Sequence, residues 1–169
     1  MTGLDWLFVR RGAVFAALAL AGLPFAYPSP QSLLLGLPLV VLGHAGRVAS
    51  FSWLGGQGRT RDPAPPSGRV VNGPYRLRHP VYVSNAVLAS GLVVSAGVGA
   101  VGAAALIGLA LGAYGLLAWR EERQLQGVPP RPAVRASWLL ALRWERSSFA
   151  TTAAALLVLG GLAAMRGGL

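Results

Sequence analysis

Gly73-Pro74-Tyr75-Arg76-Leu77-Arg78-His79-Pro80-Val81-Tyr82 brings a turn, a knot of positive charge and the start of an apolar segment into one short stretch. Pro80 lacks a backbone N–H and suits the first position of a helix, which puts His79 at or near the N-cap. The unsatisfied amides and positive dipole end of such a helix favour an anion. Arg76, Arg78 and His79 add direct donors. The stretch therefore reads as a carboxylate or phosphate site, or as arginines that hold lipid headgroups at a membrane boundary.

The next long apolar segment ends in Arg120-Glu121-Glu122-Arg123. Carboxylates at a helix C-terminus face the wrong end of the dipole, at a cost of roughly 0.3–1 kcal/mol. Something cationic should compensate. Arg120, Arg123 or the arginines before Val81 could do so; alternatively, one glutamate holds an ammonium or ribose hydroxyls of a bound ligand. If the two apolar segments form a hairpin, the two charged clusters lie at the same membrane surface. Ionisable groups at that depth are functional candidates.

Those elements must be set in a chain of 169 residues that is 54% hydrophobic and 12% charged, with a mean hydropathy of +0.55. A soluble domain carries about 25% charged residues. The deficit points to an integral membrane protein, a single helical bundle over 1–169 with no separate soluble domain. Cysteine is absent, which removes disulfides and thiolate metal ligation, and two histidines are too few for a metal centre. The formal charge is +10 and every basic residue is arginine. These arginines cluster between apolar segments, as membrane orientation requires, and not over one soluble face, so nucleic acid is not the expected partner.

Five apolar segments can be drawn: Gly12 to Tyr27, Ser32 to Leu54, Val81 to Gly97, Ala100 to Trp119 and Ser148 to Met165. At 1.5 Å rise per residue, such lengths suit a hydrocarbon core of about 30 Å. The expected fold is therefore all-α, a polytopic bundle of about five transmembrane helices. Arg10 and Arg11 precede the first segment. Arg59, Arg61, Arg69, Arg76 and Arg78 lie between the second and third; Arg120, Arg123, Arg131, Arg135, Arg143 and Arg146 lie between the fourth and fifth. The alternate loops are uncharged. The positive-inside rule then puts the N-terminus and both arginine-rich loops in the cytoplasm, with a bacterial cytoplasmic membrane the expected location. Small residues at Gly91-Ser95-Gly99 and Gly108-Gly112 could let the third and fourth segments approach closely.

Pro132 to Arg146 reads as a helix lying along the membrane surface, with Val134, Trp138 and Ala141 on its apolar face. Glu145 falls on that face too. The plainer account is that the helix has ended before it; the other is that Glu145 points into a cavity or pairs with an arginine. His44 and Arg47, one helical turn apart, either face the bundle interior or bond between helices. Asn85, in the first turns after Pro80, lines a pocket or bonds across helices. Trp6, Trp53 and Trp119 read as interfacial anchors.

The stretch Gly73 to Tyr82, followed by Asn85 and then by Glu121-Glu122-Arg123-Gln124-Leu125, resembles the paired signature of integral-membrane methyltransferases. These are the isoprenylcysteine carboxyl methyltransferases, phospholipid N-methyltransferases and their bacterial relatives. The resemblance covers roughly residues 40–132, leaving the surface helix and last span, about 133–166, outside it. It implies S-adenosylmethionine bound at the cytoplasmic membrane edge, with Arg78, His79 and Pro80 lining the site beside Arg76 and with Tyr82 nearby. Glu121 and Glu122 would contact the cofactor's amino group or ribose. His44, Arg47 and Asn85 are the candidates for the substrate side. In the family the Glu-Glu-x-x-Leu element usually leads into a Phe-Gly and a pair of tyrosines; here Leu125 runs almost directly into Gly127-Val128-Pro129-Pro130-Arg131.

The expectation is methyl transfer to a lipophilic small molecule or lipid drawn from the bilayer, without metal; no residue stands out as a catalytic base. Two alternatives remain: a non-catalytic relative that binds a lipid or partner protein, and a membrane reductase using NADPH, since sterol reductases are similar around Arg-His-Pro. Oligomeric state is not legible.

Overall fold

The computed structural model describes residues 22–55, 78–129 and 135–166, together with positions 6, 9, 10, 15, 17, 19 and 20. Among the described residues a 3-10 turn, Leu23–Phe25, is followed by four helices: α1 (Pro30–Leu54), α2 (Pro80–Ser95), α3 (Gly99–Gln124) and α4 (Trp138–Arg166). Among the described residues there is no strand, so the all-helical expectation holds.

Three of these helices, α1, α3 and α4, are long and apolar enough to cross a membrane. This is fewer than the five spans expected. α2 is apolar but has 16 residues, about 24 Å at 1.5 Å each and short of the roughly 30 Å core. In the first apolar segment Phe15, Ala17, Ala19, Leu20 and Gly22 are helical, and six of its positions lie outside the described residues, as do Arg76 and nearly all of the loop after Gly55.

α1 begins at a capping box. Ser29 Oγ accepts from the Ser32 amide at 3.1 Å, and Ser32 Oγ accepts from the Ser29 amide at 2.9 Å. Pro30 supplies the preset first helical position. The Ser32 hydroxyl also donates to the Ser95 carbonyl at 3.1 Å, fastening the start of α1 to the end of α2. Gly97 makes the turn into α3 at φ +63°, and a Cβ there would meet the Tyr27 carbonyl. The Tyr27 amide donates to the Ala96 carbonyl at 3.0 Å on the same turn.

α1 packs most extensively on α2, and then on α4; α2 also packs on α3. The close approach expected between the third and fourth apolar segments occurs elsewhere. A Cβ on Gly43 would come within 2.7 Å of Leu88 Cα, and one on Gly91 within 2.7 Å of the Val40 amide nitrogen. Gly91 thus serves the α1–α2 contact, whereas Gly108 and Gly112 of α3 face open space. The interior is thin: Val48, Phe51 and Ala141 form its buried cluster, with Val81 and Trp144 packed against it.

The expected surface helix followed by a separate last span is a single element. α4 runs through 29 residues without a break, about 43 Å of helix. The polar run Ser147-Ser148 to Thr151-Thr152 does not interrupt it, because a hydroxyl can bond back to its own helix. Thr151 Oγ1 donates to the Ser147 carbonyl at 2.7 Å. Pro132 and Val134, the first part of the expected surface helix, lie outside the described residues.

Candidate functional site

Pro80 occupies the first turn of α2 and His79 is its N-cap, as the sequence predicts, but the imidazole does not cap the helix. It turns instead towards the last turn of α3. His79 Nδ1 lies 3.7 Å from Glu121 Oε2, and its Nε2 lies 3.4 Å from Glu122 Oε2. Arg78 reaches Glu122 Oε1 at 3.5 Å. The positive tip of one helix and the negative tip of its neighbour therefore meet.

The cluster is graded in exposure. Arg78 is open, the two glutamates are about one-third exposed, and the His79 side chain is largely covered. Tyr82, one turn into α2, leans on His79 with ring centroids 5.8 Å apart and continues to Tyr114 of α3 at 6.3 Å. Phe15 stacks on Tyr114 in turn, with ring centroids 5.0 Å apart. Separations of 3.4–3.7 Å exceed the roughly 2.7–2.9 Å of a direct charge-assisted hydrogen bond. The pairing is loose, of the kind that a ligand's own charged groups can replace. An ammonium or vicinal hydroxyls suit the glutamates; a carboxylate suits Arg78, His79 and the first amides of α2.

A second cluster lies deeper. Arg47 of α1 grips Glu145 of α4 with two donors, Nε to Oε2 at 2.6 Å and Nη2 to Oε1 at 3.0 Å. Its remaining arm, Nη1, donates to Asn85 Oδ1 on α2, and its guanidinium lies over the Phe51 ring. Glu145 is fully buried. Arg47 and Asn85 thus come together, at a junction of three helices and apart from the His79 cluster. Tyr82, which leans on His79, and Asn85 stand three residues apart on one face of α2, about 4.5 Å along its axis.

This corrects the plainer account of Glu145: the helix has not ended there. Its period puts Glu145 on the face of Ala141, which is also fully buried. An ion pair at that position needs a geometry that meets most of its donors and acceptors, and the bidentate fork from Arg47 provides it. The anomaly was visible in the sequence as a carboxylate on an apolar face.

His44, one turn before Arg47, is 6% exposed and stacks on Phe149 of α4 with centroids 4.3 Å apart. It does not join the Arg47 fork. Neither of its ring nitrogens has a hydrogen-bond partner among the described residues. It lines an apolar groove of about 570 Å³ between α1 and α4.

Fold and site together define a helical protein with membrane-crossing helices and two charged clusters at helix junctions. No family model, curated protein or solved structure matches the chain.

Proposed function

We propose that this chain transfers a methyl group from S-adenosylmethionine to a lipophilic small molecule or lipid at the cytoplasmic face of a bacterial membrane. The observation that carries this reading is the meeting of Arg78 and His79 at the start of α2 with Glu121 and Glu122 at the end of α3. The cofactor is a zwitterion, and the cluster offers opposite charges a few ångströms apart. Arg78, His79 and the first amides of α2 would take its carboxylate; Glu121 and Glu122 would take its ammonium or ribose hydroxyls. Tyr82 would border the site. Pro80, which is buried, shapes the helix start that presents those amides. When bound, the cofactor supplies an electrophilic sulfonium methyl, so the work left to the chain is alignment of donor and acceptor. A carboxylate or tertiary-amine acceptor needs no base.

The test is transfer of labelled methyl from S-adenosylmethionine into a lipid extract of membranes carrying the protein. Loss of transfer is expected in both Glu121→Ala and His79→Ala, with thermal unfolding close to that of the parent. Transfer that persists in both variants removes the assignment.

A second reading, a non-catalytic lipid- or partner-binding protein, is favoured by two features. Arg78 and His79 already face the glutamates, and the helix ends at Gln124 with no tyrosine-bearing element after it. It predicts no change in melting temperature with S-adenosylmethionine.

A further inference from the structure

His44 presents an energetic problem that the methyl-donor site does not answer. Its imidazole is buried among apolar side chains, and a buried polar group left without a partner costs about 1–3 kcal/mol. Phe149 covers one ring face. The ring edge, where both nitrogens lie buried, is without a hydrogen-bond partner among the described residues. Arg47, the nearest charged group along α1, is held in the fork with Glu145 and the bond to Asn85.

The groove that His44 lines is otherwise almost wholly apolar. Val40, Val48 and Ala49 form its α1 side, and Leu142 and Leu156 stand opposite on α4. Thr152 and the Trp138 indole are the other polar groups on its wall. Val41, Trp138 and Leu142, which also line it, are exposed. Both walls are helices long and apolar enough to span a bilayer, so the open side faces hydrocarbon. His44 sits ten residues before the end of α1 at Leu54, about 15 Å along the helix. A volume of about 570 Å³ falls within the roughly 300–1,000 Å³ of small-molecule sites.

We infer that this groove binds a single-chain lipophile bearing a hydroxyl head, with His44 as the head's hydrogen-bond partner and the apolar walls holding the chain. A neutral imidazole offers one donor and one acceptor, and a hydroxyl both donates and accepts. A charged head would enter a groove with no free counter-charge, at the cost of its own desolvation. An alkane would leave the imidazole edge as it is. The inference goes beyond the methyl-transfer reading and does not rest on it: an alcohol acceptor would need a base to take its proton, and the bound lipophile is not taken to be the methyl acceptor.

The experiment uses the full chain in phosphatidylcholine nanodiscs with a diazirine-bearing hexadecanol, and peptide mapping after irradiation. Label is expected on residues 40–49 and 138–156. Unlabelled hexadecanol should displace it about ten-fold more effectively than hexadecane, the discrimination of one hydrogen bond. His44→Leu should abolish that preference while keeping the chain folded. Ala153→Phe, which fills the groove from α4, should abolish labelling altogether. Equal competition by hexadecane, a preference that survives His44→Leu, or labelling unchanged by Ala153→Phe overturns the inference. Binding of S-adenosylmethionine, titrated separately, tells the two readings apart: labelling without cofactor binding sinks methyl transfer alone. Cofactor binding together with labelling that hexadecane and hexadecanol displace equally sinks the groove alone.

Discussion

Arg47 and Glu145 stand 98 positions apart in the chain and close a two-pronged ion pair between α1 and α4. The Glu145 side chain is fully covered and that of Arg47 nearly so. Removing one partner leaves the other charge uncompensated in a medium that solvates it poorly, whereas removing both takes away the desolvation cost as well. Glu145→Ala is therefore expected to destabilise the protein by roughly 3–5 kcal/mol. The double variant Arg47→Met, Glu145→Leu should recover most of that loss. Thermal unfolding in detergent measures both; a double variant as unstable as the single one contradicts the account.

The helix contact that orients α2 depends on bare backbone. At Gly43 a methyl group would press within 2.7 Å of the Leu88 backbone, and backbone cannot step aside as a side-chain tip can. Gly43→Ala should cost about 1–3 kcal/mol, the usual penalty of overpacking. Gly108 lies inside α3 with open space where its Cβ would be. Gly108→Ala should be neutral or stabilising by up to about 1 kcal/mol, the helix-propensity difference. Opposite signs in paired melting curves check the assignment of the close face to α1 and α2.

How much of this was legible beforehand follows from which signals are local. Apolar runs bounded by charge gave the helices, since membrane-length segments are written contiguously. Pro80 gave the start of α2 and placed His79 at its N-cap, and the hairpin brought His79 to Glu121 and Glu122. What failed was pairing between helices distant in sequence. The small-residue pattern of Gly91 says that some neighbour comes close, but not which, and α1 rather than α3 takes that place. One of the two accounts of Glu145 had the helix end before it; the helix instead runs on through Ser147, Ser148, Thr151 and Thr152. The Thr151 hydroxyl bonds back to the Ser147 and Ser148 carbonyls of the same helix. The groove at His44 exists only where α1 meets α4, and periodicity in one segment cannot show it.

The charged junction between α2 and α3 predicts a graded response to substitution. Glu122 faces both His79 and Arg78, while Glu121 faces His79. Glu122→Gln retains the shape and removes the charge. With a charge-assisted hydrogen bond worth about 1.5–3 kcal/mol, S-adenosylmethionine affinity should fall by roughly ten- to hundred-fold. Isothermal titration in detergent reads this directly. Arg78 is mostly exposed, so Arg78→Gln should weaken binding less, and raised salt should narrow its difference from the parent. An Arg78→Gln effect larger than that of Glu122→Gln contradicts the arrangement.

Orientation can be tested with unusual economy, because the chain has no cysteine and any introduced thiol is unique. Gln31 lies at the start of α1 and Gln126 just beyond the end of α3, and both are exposed. The positive-inside rule predicts these ends on opposite faces, with Gln126 on the cytoplasmic side. In intact bacterial cells a membrane-impermeant maleimide should label Gln31→Cys and spare Gln126→Cys; after lysis both should react. The same pair decides where the His79 cluster sits, since Glu121 and Gln126 are little more than one helical turn apart in sequence. Labelling of Gln126→Cys in sealed cells would place the cluster on the outer face, away from a cytoplasmic methyl donor, and the proposed reaction would lose its cofactor supply.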